Sequence, residues 1–400
     1  MILKNILVFS FSILTFLTVS AQQTELNVAY KTTIETGAEQ VSEYLPLLKG
    51  KRIGIVANHT SVIKNTHLVD SLLSLGINVK KVFSPEHGFR GKANAGEKVK
   101  SGKDVKTGLP IISLYGKNKK PTKAQIQDLD ILIFDIQDVG ARFYTYISTM
   151  HYIMEAAAEN GRQVIILDRP NPNGFYVDGP VLEKKYKSFV GMHPIPVVHG
   201  LTVGELAKMI NGEKWLKNKV KCKLKVIKCK NYEHKDFYKL PIAPSPNLPN
   251  MSSIYLYPSL CFFEGTSVSV GRGTDLPFQV IGSPFLNKTK YSFVPKSNSG
   301  SKNPKYKNRT CNGYNLSVFG GVYMRNINQL YLYWLVEANS QTKGEKYITR
   351  PKFFDLLAGN PTLRNQIETK KTVKEIRKSW QKKLDTYKGM RKKYLIYLDF

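Results

Sequence analysis

Acidic residues are scarce in this chain: 30 Asp and Glu stand against 60 Lys and Arg, which leaves a formal net charge of +30. A field of that sign attracts polyanions. Nucleic acid is not the indicated partner, because the basic residues are scattered and no nucleic-acid-binding module occurs. Acidic cell-wall material fits the charge, and a lysine-rich bias of solvated faces accounts for it equally simply. Cysteine is also rare. Cys222, Cys229, Cys261 and Cys311 show no C-x-x-C spacing, so neither a zinc knuckle nor a thioredoxin-like redox motif is present. Cys222 and Cys229 flank a half-buried strand pattern, Lys223 to Lys228, and read as small packing residues. No Gly-x-Gly-x-x-Gly follows the first strand and no Gly-Lys-Ser/Thr loop occurs, which argues against a dinucleotide or nucleoside triphosphate. No Gly-x-Ser-x-Gly elbow appears, which disfavours a serine hydrolase. No cofactor is expected.

Long apolar runs are missing too, apart from one at the start. Lys4, the run from Ile6 to Val19, and Val19-Ser20-Ala21 compose a secretory leader with a small-residue cleavage site, so residues 1–21 are expected to be a signal peptide. Gln22 follows Ala21 where a lipoprotein would carry cysteine. The run is shorter than the roughly 20 residues a bilayer requires, so no stable membrane insertion is expected after cleavage; an uncleaved anchor is the alternative. The expected localisation is export, periplasmic where the source has two membranes. The remaining length, about 380 residues, exceeds what one core usually holds, so two domains are expected.

What is present is an alternation of short apolar strands and helices. Ile53 to Ala57, Val79 to Ser84, Ile111 to Leu114, Ile131 to Asp135 and Val164 to Asp168 read as strands. Thr66 to Leu75, Thr122 to Leu129 and Thr149 to Asn160 read as the helices between and after them. Near-continuous apolar strands in this alternation predict an α/β fold with a Rossmann-like, doubly wound, mostly parallel sheet over about residues 25–200. Beyond it, Thr202 and Glu205 form a capping box for a helix. The segment from Pro244 to Thr274 is rich in proline and glycine and reads as an irregular wall. Helices are expected near Tyr331 to Leu335 and over Val373 to Leu384, with Tyr394 to Tyr397 a closing strand or extended tail.

Strand ends in such a sheet converge on one crevice, which makes the exit Ser84-Pro85-Glu86-His87-Gly88-Phe89-Arg90-Gly91 the most informative stretch. Glu86 is the first candidate for a catalytic acid, with Phe89 available to lower the local dielectric and raise a carboxyl pKa; capping of the following turn is the plain alternative. Glycoside hydrolysis ordinarily takes two carboxyl groups, and Asp135, Asp138 and Glu264 are candidates for the second. Arg90, Arg142 and Arg272 suit bidentate capture of a carboxylate. Asn58, Asn171, Asn173 and Asn247 suit hydroxyl or amide recognition, or serve as turn formers. Tyr144 and Tyr146 offer a sugar an amphipathic platform, or pack in the core. Asp168 and Arg169 read either as site residues or as a salt-linked turn. His59 and His87 could meet at neighbouring strand ends, although the histidines form no metal pattern overall.

Taken in order, Ser84-Pro85-Glu86-His87-Gly88, the run Phe134 to Tyr146, Asp168-Arg169-Pro170-Asn171-Pro172, Pro246-Asn247-Leu248-Pro249 and Phe263-Glu264-Gly265-Thr266 resemble the NamZ-type exo-β-N-acetylmuramidases, also called YbbC-like. The resemblance spans about residues 40–400. It implies a smaller C-terminal α/β domain, here 201–400, an active cleft between the two domains, and release of N-acetylmuramic acid from the non-reducing ends of peptidoglycan fragments. It implies that Glu86 is the catalytic glutamate and that peptidoglycan-derived glycans or muropeptides are the partners; His87, beside Glu86, is a candidate substrate-binding residue. A noncatalytic muropeptide-binding protein and a metal-dependent amidase or esterase are the alternative readings. Oligomeric state is not legible.

Overall fold

The computed structural model describes residues 30–86, 88–90 and 101–400. The expected leader and His87 lie outside the described residues. A seven-stranded sheet is built from β1 (Ile53–Ala57), β2 (Val79–Ser84), β3 (Gly102–Lys103), β4 (Pro110–Ser113), β5 (Ile131–Asp135), β6 (Gln163–Leu167) and β7 (Lys223–Ile227), in the order β3-β4-β2-β1-β5-β6-β7. Every pairing is parallel except that of β3 with β4 at the edge. Setting β3 aside, the strands stand in the doubly wound order 3-2-1-4-5-6, whose direction reverses between β1 and β5. The seventh strand comes from residues 223–227, so the sheet draws on chain well past residue 200.

The alternating faces of the strands explain the two layers. Ile53, Ile55, Ile131, Ile133 and Ile165 share one core with Tyr44 and Leu48 of the helix Val41–Leu48 and with Leu68 and Leu72 of the helix Leu68–Ser74. Val56, Leu132, Phe134, Val164 and Ile166 point the other way, against Ile147, Met150 and Met154 of the helix Tyr146–Glu159 and Leu206 and Met209 of the helix Val203–Gly212. β1 and β5 are buried along their whole length, as strands covered on both faces must be. The capping box at Thr202 and Glu205 is present: the Glu205 carboxylate accepts the Thr202 N–H at 2.9 Å and the Thr202 hydroxyl accepts the Glu205 N–H at 3.2 Å.

Several elements differ from the sequence reading. The helix expected from Thr149 begins at Tyr146, so the tyrosine at the end of the exit loop is already its first residue. The one expected over 373–384 is two, Val373–Lys378 and Gln381–Arg391, separated at Trp380, whose buried indole donates to Asp178 at 3.3 Å. That expected over 122–129 is a single turn, Lys123–Ile126. After Tyr394 the chain is an extended tail, and Tyr397 donates its hydroxyl to Asp168 at 2.7 Å.

The second, smaller part begins with the helix Met251–Leu260 and contains an antiparallel three-stranded sheet ordered Val280–Ser283, Cys311–Asn315, Tyr291–Phe293. Its helices return to the first part. Tyr387 donates to the His199 carbonyl at 2.7 Å, Arg391 to the Gly200 carbonyl at 2.6 Å, and Arg377 to Asp178 at 2.7 Å. Arg142 adds a link from the other side, as described below. All four cysteines are buried and free.

The strand ends are tied by one buried ion pair. Arg169, just past β6, forks Asp135 at the end of β5, Nε to Oδ1 at 2.6 Å and Nη2 to Oδ2 at 3.0 Å, and its Nη2 also reaches the Val62 carbonyl at 3.0 Å. Replacing Arg169 by Met leaves a desolvated carboxylate without its partner, so the urea midpoint is expected to drop by the equivalent of about 3–5 kcal/mol. Adding Asp135→Asn should recover a large part of the loss. A single variant within 1 kcal/mol of the parent by the same scale would show that the pair does not carry the junction.

Candidate active site

The crevice lies where the doubly wound order predicts, outside the carboxyl ends of β1, β2 and β5. The turn after β1 is built by Asn58, whose side-chain oxygen accepts the Thr60 N–H at 2.9 Å and hydroxyl at 2.6 Å. Thr60 then accepts the Gln137 N–H at 3.0 Å, and the Ser61 hydroxyl donates to the Asp135 carbonyl, so the exit loops of β1 and β5 are one wired unit. Gln137 extends it to β6 by donating to the Pro170 carbonyl at 2.8 Å. Gly140 must be glycine here: its φ is +74°, and a Cβ would lie 2.1 Å from the Asn171 side chain.

A pocket opens on this platform. Glu86, Phe143, Tyr144, Thr145, Tyr146, Ser245, Asn247, Leu248, Tyr257, Arg272 and Phe278 line it. Five of the sequence candidates therefore meet: Glu86, Tyr144, Tyr146, Asn247 and Arg272. Glu86 is partly exposed and accepts the Tyr115 hydroxyl at 3.1 Å. Burial, with the Glu86 carboxylate alongside, pushes the Tyr115 hydroxyl up to about 12 and keeps it a donor. Tyr144 and Tyr146 meet edge to face at 4.9 Å, and Tyr144 meets Tyr257 in the same way at 5.8 Å. The Tyr144 hydroxyl anchors the opposite wall by donating to the Pro244 carbonyl at 2.9 Å. Asn247 donates to the Gly300 carbonyl at 2.8 Å.

Arg272 is the pocket's cation. Its Nε is held by Glu264 Oε1 at 2.7 Å and its guanidinium lies 5.0 Å over the Phe278 ring. Glu264 thus contributes to the pocket through Arg272 and is not itself a wall residue.

The other candidates are engaged elsewhere. Asp135 has both oxygens taken by Arg169, the salt-linked turn that the Asp-Arg-Pro sequence allowed. Asp168, read with Arg169, caps the helix Val203–Gly212 by accepting the Thr202 hydroxyl at 2.7 Å and the Gly204 N–H at 2.8 Å. Arg142 is fully buried and donates to the carbonyls of Pro180, Ile195 and Leu357, each at 2.7 Å, and burial without a counter-ion lowers it to about 9. It bridges the two parts of the molecule. Arg90 is bound by Asp104 at 2.7 Å and Asp70 at 3.2 Å, which ties the exit of β2 to its neighbours. Phe89 packs edge to face on His67 at 4.7 Å, within the core. Asn171 donates to the Leu201 carbonyl at 2.9 Å and Asn173 to that of Val139 at 2.8 Å. His59 holds the Ala243 carbonyl at 2.8 Å. Among the described residues, no group of three or more His, Cys, Asp and Glu side chains is placed to hold a metal ion.

Tyr115, Ser245, Tyr257 and Phe278 were not singled out from the sequence. Tyr115 follows the strand Pro110–Ser113 and was legible by the same rule that picked out Glu86. The others sit in or beyond the Pro-rich wall, where only the fold shows which side faces the pocket.

Asp138 is unusual. It accepts the Gly140 N–H at 2.7 Å through Oδ2, while Oδ1 is buried without a partner among the described residues. Burial pushes its carboxyl up to about 7. A carboxyl raised on folding disfavours the native state wherever the unfolded chain would ionise, so its cost grows from pH about 4 to about 7 and is constant above. Asp138→Asn should therefore gain stability relative to the parent over that window, up to an upper bound of about 4 kcal/mol. Urea midpoints of both proteins across this range check the sign; a difference independent of pH would contradict the raised value.

The family models for the N-terminal and C-terminal parts of the exo-β-N-acetylmuramidase NamZ match residues 53–252 and 255–397. The chain is 40% identical over 429 aligned residues to the peptidoglycan β-N-acetylmuramidase NamZ of Bacillus subtilis (strain 168), covering 98% of this chain and 100% of that protein. Two crystal structures of DUF1343 family proteins from Bacteroides fragilis NCTC 9343 have the same fold. One has a TM-score of 0.85 at 50% identity, covering 92% of this chain and 99% of the other. The second has a TM-score of 0.78 at 32% identity, covering 92% and 100%. The matches run through both the sheet that carries Glu86 and the part that supplies Arg272, and the chain accordingly belongs to the exo-β-N-acetylmuramidase NamZ family.

Proposed function

We propose that this chain is an exo-acting β-N-acetylmuramidase that releases N-acetylmuramic acid from the non-reducing ends of peptidoglycan fragments, with Glu86 as the general acid. The observation that carries the residue assignment is that Glu86 is the one carboxylate among the described residues lining the pocket. Family membership carries the reaction class.

The substrate's chemistry matches the walls. The lactyl carboxylate of N-acetylmuramic acid pairs with the guanidinium of Arg272, which Glu264 and Phe278 hold in place. Tyr144, Tyr146 and Tyr257 give the apolar face of the ring a platform. Asn247 stands at the wall for a hydroxyl or the acetamido group. Glu86 protonates the glycosidic oxygen as the bond to C1 breaks. Among the described residues, arginines engage Asp135 and Glu264 and Asp138 does not line the pocket, which favours the sugar's own acetamido oxygen as the group that supports the oxocarbenium-like transition state, a known variant of this chemistry.

We place the protein outside the cytoplasm, on the strength of the leader-like residues 1–21. No helix among the described residues is long and apolar enough to cross a membrane. The net charge of +30 favours residence near anionic wall polymer.

Glu86→Gln is expected to lower turnover of a muramyl-terminated disaccharide by about 100-fold or more, while isothermal titration shows the disaccharide still bound. Arg272→Gln should instead raise KM with a smaller change in kcat. A Glu86→Gln protein with parental turnover would remove Glu86 from the chemistry, and a parent that binds but never cleaves would make the protein a muropeptide binder.

A further inference from the structure

A second cavity lies away from the crevice. The helix Val203–Gly212 starts near the exit of β6, where Asp168 caps it, and runs back toward the amino ends of β6 and β7, where Gln163 pairs with Lys223. Lys214 and Trp215 follow that helix, and Lys214 takes a left-handed backbone, φ +57°, that turns the chain off its end. Beside Trp215 opens a cavity of about 470 Å³, within the range of ligand pockets, about 300–1,000 Å³. None of the described residues that line it lines the pocket at Glu86.

Its lining divides in two. Trp215, Leu182, Met192 and Pro194 supply apolar surface, and Lys184, Lys187 and Lys214 supply charge; no acid lines it among the described residues. The three lysines are exposed, and no ion pair among the described residues holds any of them. Their neighbours Glu183 and Glu213 are turned elsewhere, Glu183 to Lys383 at 2.8 Å and Glu213 to the Tyr394 hydroxyl at 2.7 Å. The chain as a whole spreads its lysines, but here two dense segments meet, with three lysines in residues 184–187 and four in 214–221. The indole is also set in place. Trp215 donates its N–H to the Ile210 carbonyl at 3.0 Å and its ring stacks on that of His193, 5.5 Å away at 26°. His193 is fully buried and bonded to His151 at 3.1 Å, and His151 meets Glu155 at 3.4 Å. Glu155 then accepts the Lys217 N–H at 2.7 Å, so the backbone is tied on both sides of the indole.

A fixed aromatic ring beside unpaired cations recognises a sugar that carries an anionic substituent, because the indole covers the apolar ring face while the ammonium groups take the charge. We propose that this cavity is a second glycan-binding site, which holds a muramyl unit inside a peptidoglycan strand by stacking it on Trp215 and pairing its lactyl carboxylate with Lys184, Lys187 and Lys214. The inference rests on the reading that the protein acts on peptidoglycan glycans. An exo-acting enzyme finds one cleavable terminus on a strand that holds many internal muramyl units. Holding an internal unit keeps the protein on the polymer and raises the effective concentration of strand ends at the pocket with Glu86.

The test titrates the intact protein with peptide-free glycan strands that end in N-acetylglucosamine, which offer the pocket at Glu86 no cleavable terminus, and with chitooligosaccharides of equal length, which are the same polymer without the lactyl groups. The parent is expected to bind the muramyl strands about tenfold more tightly than the chitooligosaccharides at low salt, and to lose that margin at about 0.5 M salt. The triple variant Lys184→Gln, Lys187→Gln, Lys214→Gln is expected to bind the muramyl strands about tenfold more weakly and the chitooligosaccharides within about twofold of the parent. Trp215→Ala should weaken both. On the muramyl-terminated disaccharide both variants should keep kcat/KM within about twofold of the parent. The three lysines are exposed, so the triple variant decides the matter even where Trp215→Ala does not fold. Parental affinity for muramyl strands in the triple variant would overturn the site, as would equal losses on the two glycans. Tighter binding of a phosphate-bearing wall polymer than of the muramyl strands, lost in the triple variant, would give the lysines to phosphate and overturn the muramyl assignment. A parent that binds the strands through these residues yet never cuts the disaccharide would contradict the proposed reaction alone; one that cuts it while the triple variant binds strands as the parent does would contradict the second site alone.

Discussion

The ion pair between Asp135 and Arg169 is the constraint on which the rest of this structure depends. Parallel strands present their ends side by side, but nothing in a sheet fixes the loops that leave them. Here a buried, two-pronged pair joins the exits of β5 and β6, and the same guanidinium reaches the turn that follows β1 through the Val62 carbonyl. Desolvating two charges is costly, and the cost is offset only where geometry and extra hydrogen bonds are good, as they are at 2.6 and 3.0 Å. With that junction set, Thr60, Ser61 and Gln137 have defined partners and the crevice has a rigid floor.

The pocket takes its character from the division of labour among the charged groups. Most are committed to architecture: Asp168 to a helix cap, Arg90 to Asp104 and Asp70, Arg142 to three carbonyls across the two parts of the molecule. Among the described residues that line the pocket, one carboxylate and one guanidinium, Glu86 and Arg272, stand among aromatic walls. Arg272 comes from the second part and Glu86 from the sheet, so a ligand held by both is held by the whole chain. The buried link through Arg142 to Leu357 keeps the two walls in register, since any sliding would strand a cation among carbonyls.

Much of this was legible in the residues. Apolar strands read straight through, because burial on both faces removes the polar alternation that would blur them. Glu86 stood out as a carboxylate at a strand exit, between a proline and a histidine and one residue before a glycine. Arg142 and Asp135 read as site residues for a sound reason, their place in a strand-exit loop, and the structure uses them as fastenings because partners 38 to 215 residues away in the case of Arg142, and 34 in the case of Asp135, complete their bonds. No local pattern reports such partners. Helix limits failed in the same way: Trp380 interrupts the expected helix to reach Asp178, 202 residues distant. A long-range partner also turns Lys305 inward, to the Val268 carbonyl at 3.3 Å, and burial lowers it to about 8.

The central claim is that the pocket between Glu86 and Arg272 accepts a terminal muramyl unit and cuts the bond beyond it. Mass spectrometry of the purified protein with N-acetylmuramyl-β-1,4-N-acetylglucosamine, and in parallel with the disaccharide of reversed order, tests this most directly. The account predicts free N-acetylmuramic acid from the first and no cleavage of the second. Cleavage of the reversed disaccharide, or of neither by a well-folded protein, would contradict it.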